Sequence, residues 1–143
     1  MEINKKIFEN IDLFCREKMI EIIKNVSQEE CDALLDSRDS DAFSNKWMEV
    51  YGEVRGVLGN STVDIYYTQK IESLRERTFK AILEHSQSSD LAAYLSDDIA
   101  LLLEAVLCNY NNSWLNGLWK EYSAGKIPHG KLLLVDGRLE QMI

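Results

Sequence analysis

The sequence is poor in turn-formers and in reactive groups. One Pro and seven Gly in 143 residues are too few for an all-β sandwich, which needs a turn every few residues, and favour helices. The three cysteines, Cys15, Cys31 and Cys108, are odd in number, far apart and set among apolar neighbours, and no C-x-x-C pair occurs. They read as reduced core thiols. With two solitary histidines, His85 and His129, a zinc site is not expected. The longest apolar run, Ile99 to Cys108, contains Glu104 and is too short to span a bilayer. Residues 1–6 lead into an amphipathic stretch, not a signal-peptide core, so the expectation is a cytoplasmic protein with no membrane association. The N-x-S/T triplets at Asn25, Asn60 and Asn111 then carry no meaning. Catalytic signatures are missing too. There is no phosphate loop, dinucleotide fingerprint, H-E-x-x-H or serine-hydrolase elbow, and no Glu-x-x-His pair for a di-iron centre. No catalytic residue, cofactor or metal is expected.

What the chain has is hydrophobic residues, 45% of the total, arranged with helical periodicity and enough of them to build a core without staples. Ile3, Ile7, Ile11, Phe14, Met19, Ile22 and Val26 predict one helix over residues 3–26. Ser27 and Glu30 form a capping box for a short second helix that buries Cys31, Leu34 and Leu35. A polar loop, residues 36–41, follows. Phe43, Trp47, Val50, Tyr51, Val54, Val57 and Leu58 stripe a third helix that stops at Gly59-Asn60, either of which tolerates a left-handed C-cap. Gly52 and Gly56 inside it each cost about 1 kcal/mol relative to Ala. Close approach of another helix is the expected reason, a kink the alternative. Residues 62–86 form a fourth helix, with Tyr67, Ile71, Leu74, Thr78 and Ile82 inward. The adjacent Tyr66-Tyr67 pair must leave one ring off that stripe. Residues 90–110 form a fifth helix that is apolar almost all round between Ile99 and Cys108, so the others should pack around it. Trp114, Leu118, Trp119 and Tyr122 mark a sixth over 114–123, where helical spacing favours core packing over an exposed aromatic site. In the tail, Asp136-Gly137 between apolar runs signals a short hairpin. Leu132–Val135 does not alternate, so an irregular or helical tail is the other possibility. The fold expected is all-α: a single domain, residues 1–143, of five or six helices around a central apolar one.

Charge is the informative feature. The net charge of −8 is uneven. Residues 27–60 carry −5 and residues 88–111 carry −4, while the other segments are near neutral. Such a surface repels nucleic-acid phosphates, so nucleic-acid binding is not expected. It attracts basic proteins and speeds their docking. Many basic proteins are nucleases, and carboxylates can occupy the places where phosphates would sit. The candidate partner-binding residues are Glu29, Asp32, Asp36, Asp39, Asp41, Glu49 and Glu53, with Asp90, Asp97 and Asp98 as a second cluster. The competing reading is that these acids serve solubility.

A small, acidic, helical chain with no catalytic constellation resembles the immunity proteins of bacterial toxin systems, including those of contact-dependent growth inhibition. The resemblance covers the overall character of the chain and rests on no diagnostic motif. It implies a dedicated inhibitor that binds the toxic domain of a cognate effector, often a nuclease, at its active site or an exosite. Two other classes stay open. Acids at helical spacing (Glu17/Glu21, Glu72/Glu76, and Asp97/Asp98 with Glu104) would suit a magnesium-dependent nucleotide hydrolase if acids from different helices converged in one cleft. Gly52 and Gly56 would suit an adaptor that homodimerises through its third helix.

Overall fold

The computed structural model describes residues 2–143, with side chains from Ile3 onward. The chain runs through α1 (Glu2–Arg16), α2 (Lys18–Lys24), α3 (Gln28–Asp39), α4 (Asp41–Gly59), α5 (Ile65–Ser86), α6 (Ser89–Leu107), α7 (Ser113–Ser123) and a one-turn α8 (Leu139–Met142). No strand occurs among the described residues. The architecture is all-α, as the periodicity implies, and the buried apolar residues form one contiguous cluster.

α6 is the axis of the bundle. All nine residues from Asp98 to Val106 are buried, and α1, α3, α4 and α5 all pack against it. Ser88 caps its first turn by accepting from the Leu91 amide at 3.1 Å. It ends earlier than the sequence suggests, because Asn109 turns left-handed (φ 55°). α5 lies along α6 as the most extensive helix pair in the molecule, with Tyr67 inward and Tyr66 about half exposed, as their adjacency requires.

Three local expectations need correction. The first helix is kinked into α1 and α2 at Glu17 (φ −116°, ψ −71°). Ile11, Cys15 and Met19 are all buried, so the inward positions keep an ordinary four-residue spacing across the break. The kink buries Met19 and Ile23 and leaves Ile22 and Val26 half-buried. Hydrogen bonds from Glu17 N to Leu13 O and from Glu21 N to Glu17 O, 3.0 and 3.1 Å, carry the ladder across it.

Residues 36–41 are not a loop. The Ser27–Glu30 capping box forms with both bonds present, but α3 continues to Asp39 and only Ser40 separates it from α4. The inward anchoring of Arg38 holds that last turn in place.

The glycines at 52 and 56 face solvent, and a Cβ at either would meet nothing within 4 Å. No helix of this chain approaches them. The close approach is at Gly117 instead, where a Cβ would fall 2.2 Å from the Leu133 carbonyl oxygen. There the C-terminal segment crosses α7 as an extended strap. The Asn116 side-chain amide donates to the Val135 and Gly137 carbonyls, both at 2.9 Å, and the Val135 amide donates to Ser113 O at 3.0 Å. Of the two tail possibilities, the irregular one with a final helical turn is realised. The strap satisfies its polar groups on α7, so Asp136-Gly137 leads into α8 and not into a second strand. Leu139 plugs the end of the core. Trp114, Trp119 and Tyr122 are buried, so this aromatic group is core.

Candidate functional site

Apart from Asp90 and buried Asp98, the acidic residues singled out by the sequence fall in three surface environments. The first is the outer face of α3. Glu29, Asp32, Asp36 and Asp39 recur at three- and four-residue steps, which places them on one side of the helix, and all four are exposed. Asp41, exposed at the first position of α4, extends the row around the corner. None of these five carboxylates has an ion-pair partner among the described residues. Their neighbours are neutral: Gln28 donates to Asp32 at 3.3 Å and the Tyr94 hydroxyl donates to Asp39. His129, on the loop before the strap, meets Ser37 at 2.9 Å beside this face.

The reason the face is purely negative lies inside the protein. α3 has one base, Arg38, and it points inward. Its guanidinium meets both oxygens of Asp98 at 2.8 Å, a bidentate pair, and also donates to the Pro128 carbonyl at 3.1 Å. Asp98 additionally accepts from Trp47 Nε1 at 2.8 Å and from the Tyr122 hydroxyl. One fully buried carboxylate thus ties α3, α4 and α7 to α6. Asp98 is therefore removed from the candidate partner surface: it is 0% exposed, and four donors occupy its lone pairs. Adjacent helix positions point about 100° apart, which is how Asp97 stays near the surface while Asp98 is internal. Burial and the neighbouring Asp98 charge push the Tyr122 hydroxyl well above its ordinary pKa.

The second environment is the outer side of α4. Glu49 pairs with Lys46 at 3.4 Å, and Glu53 accepts from the Tyr110 hydroxyl at 2.8 Å. Both are exposed.

The third is a cleft of about 700 Å³ between α4 and α5, floored by α6. Trp47, Tyr51, Leu58 and Ile71 supply much of its apolar wall, and Glu72, Asp97 and Glu104 line it together with Arg55 and Arg75. A smaller recess of about 230 Å³ shares Trp47 and Asp97 with it and reaches Asp39 and Tyr94. Arg55 holds Glu104 at 3.2 Å, and Arg75 holds Glu72 at 2.7 Å and Asp97 at 3.4 Å. Burial raises both Glu104 and Asp97 above the ordinary carboxylate value despite these guanidiniums. Of the acids in this cleft the sequence reading placed Asp97 on the partner surface and named Glu72 and Glu104 among acids that could hold magnesium.

The described residues thus include an exposed row of unneutralised carboxylates on α3, a buried polar centre that fixes that helix, and an open cleft between α4 and α5. A family model described as Immunity protein PIM1 matches residues 6–129. The chain belongs to this family of immunity proteins, and that membership implies a cognate toxin as its partner. The matched region runs from α1 through α7 and stops before the strap over Gly117. No curated protein matches the chain. No helix among the described residues is long and apolar enough to cross a membrane.

Proposed function

We propose that this chain is a non-enzymatic inhibitor that neutralises a basic toxin domain, a nuclease, by docking the acidic face of α3 and the start of α4 over its phosphate-binding cleft. The observation that carries the reading is the inward turn of Arg38. With the one base of α3 spent on Asp98, Asp32, Asp36, Asp39 and Asp41 present uncompensated negative charge from a rigid helix. Glu49 and Glu53 flank that face on α4, where Lys46 partly offsets them. Charge arranged this way acts mainly on association rate and partner choice. The inhibitor would work in the cytoplasm, where a delivered nuclease meets its target.

The test is the association rate with the cognate toxin domain in catalytically inactive form. Asp36→Asn, Asp39→Asn and Asp41→Asn together should slow association about tenfold at low ionic strength, with the difference shrinking as salt screens the charges. An unchanged rate and an unchanged salt dependence would refute the acidic-face reading.

The magnesium-hydrolase alternative asks for acids converging in one cleft, and Glu72, Asp97 and Glu104 do so, but each is held by Arg55 or Arg75.

A further inference from the structure

The α4–α5 cleft follows α4 from Trp47 to Gly59, about 18 Å at the helical rise per residue. A trough of that length and of about 700 Å³ suits a polypeptide segment laid along it, with one side chain inserted.

Its charge is complementary to a cation. Outside the Arg38–Asp98 pair, the cleft and its adjoining recess hold Asp39, Glu72, Asp97 and Glu104 against Arg55 and Arg75. Asp97, Ala100 and Glu104 recur on one face of α6, so the two floor carboxylates flank a small apolar residue. Along α4, the Trp47 and Tyr51 rings are stacked, with centroids 5.2 Å apart and planes 16° from parallel. The Arg55 guanidinium already sits over the Tyr51 ring at 5.1 Å, so this aromatic surface accepts a cation. Arg55 and Arg75 are rim residues with partly exposed side chains. The Arg75–Asp97 pair is half exposed on both sides and weak, whereas Glu104 is only 11% exposed, so a cation entering there has to take the place of Arg55 as it swings out.

We infer that this cleft anchors the toxin through one Lys or Arg side chain, its aliphatic stem on the Trp47–Tyr51 stack and its charge between Asp97 and Glu104. The inference rests on the toxin-binding reading but not on the α3 face. The two surfaces have separate tasks: α3 steers encounter, and the cleft sets residence time. Buried aromatic-lined pockets, more than rim charges, hold complexes together once formed. The raised pKa values of Asp97 and Glu104 agree with this division, since charged carboxylates still short of compensation gain from a further cation brought in as water is excluded.

The test uses the full chain and the same inactive toxin domain. Two cleft variants are needed: Asp97→Asn with Glu104→Gln, which keeps shape and removes charge, and Thr68→Trp, which blocks the mouth from an exposed position. Both should bind about tenfold or more weakly through faster dissociation, with association within about twofold of the unaltered chain. Their melting temperatures should not fall below that of the unaltered chain, which separates lost binding from lost folding. The Trp47 indole N–H resonance, assigned by its disappearance in Trp47→Phe, should shift on complex formation. Unchanged dissociation in both variants together with an unmoved Trp47 resonance overturns the inference and leaves the α3 reading standing. Weakened cleft variants beside an α3 triple variant with normal association do the reverse. A Trp47 shift that follows the concentration of the isolated chain means that a second copy fills the cleft, and also overturns the inference. A toxin domain that the unaltered chain neither binds nor neutralises overturns both.

Discussion

Replacing Asp98 by Ala tests whether the buried polar centre holds the helices together. In the native protein Asp98 accepts two bonds from Arg38, one from Trp47 and one from Tyr122. Removal strands the Arg38 charge, whose side chain is 3% exposed, with the Pro128 carbonyl at 3.1 Å and the ring faces of Phe43 at 4.4 Å and Tyr94 at 5.4 Å as its remaining company. Breaking a buried ion pair from one side costs about 3–5 kcal/mol. The orphaned Tyr122 hydroxyl adds part of the roughly 1–3 kcal/mol due to an unsatisfied buried donor, though these losses overlap and are not summed. A net loss of about 4 kcal/mol is expected, a large part of the roughly 5–15 kcal/mol that stabilises a typical domain. For a chain of this length the melting temperature should fall by roughly 12–16 °C. Urea denaturation at neutral pH is the assay, with the midpoint falling at constant slope. Arg38→Met combined with Asp98→Leu should be less damaging than Asp98→Ala alone, because no stranded charge remains. A loss below about 1 kcal/mol for Asp98→Ala, or a double variant as unstable as the summed single changes, would refute the reasoning.

Gly52→Ala and Gly56→Ala should each stabilise the chain by about 1 kcal/mol in urea titration, since both lie mid-helix with nothing near a new Cβ. If toxin affinity or dimerisation nonetheless drops, an intermolecular contact uses those glycines. Gly117→Ala should cost about 1–3 kcal/mol as overpacking, because its Cβ would strike the Leu133 carbonyl oxygen. Faster hydrogen exchange at the Val135 amide, bonded to Ser113 O, would report the lifted strap. Burial pushes the Cys15 thiol up to about 12, so thiol reagents at pH 8 should modify half-buried Cys108 well before Cys15; mass mapping of a timed alkylation decides. Glu104→Gln should match or exceed the native stability at pH 7. The folded chain holds the Glu104 proton more tightly than the unfolded chain, so native stability falls as pH rises from the ordinary carboxylate value through the raised one. The advantage of Gln should vanish in acid, and a Gln variant less stable at pH 7 would contradict it.

The fold was legible because it depends on periodicity. The apolar run on α6, the Ser27–Glu30 box and the stripes of α4 and α5 are local patterns, and each appears in the structure close to where it was read. Failures fall where one residue's environment is set by distant chain. The kink at Glu17 left no mark in the apolar spacing, because Ile11, Cys15 and Met19 are buried at regular four-residue steps across it. The helical end of α3 depends on Arg38 reaching a carboxylate 60 positions away, and composition alone made Asp36–Asp41 look like a loop. The tail was ambiguous because Asp136-Gly137 is a local signal, whereas the anchor of the strap is Asn116 on α7. Glycines misled for the same reason: Gly52 and Gly56 carry the small-residue spacing of a helix contact, yet the glycine that admits another backbone is the single one at 117.

Charge counting was accurate in sum and misleading in place. Asp97 and Asp98 are neighbours in sequence with the same functional group, yet one lines the cleft and the other is the most enclosed carboxylate among the described residues. The same count entered Arg38 as a base that softens the acidic segment, when its inward turn does the opposite. Burying a guanidinium against a carboxylate keeps the interior neutral while withdrawing the one positive charge of α3 from its surface. The pair is therefore worth more than its net contribution to stability, which for buried ion pairs is small or negative compared with apolar replacements. It fixes where α3 sits against α6 and leaves that helix with a single sign of charge on its outer face. An Arg38→Met, Asp98→Leu chain that folds well would retain the exposed carboxylates but lose the polar register that positions them. If such a chain still associates with the toxin at the native rate, the steering field needs only the charges; if association slows at unchanged net charge, the register of α3 matters as well.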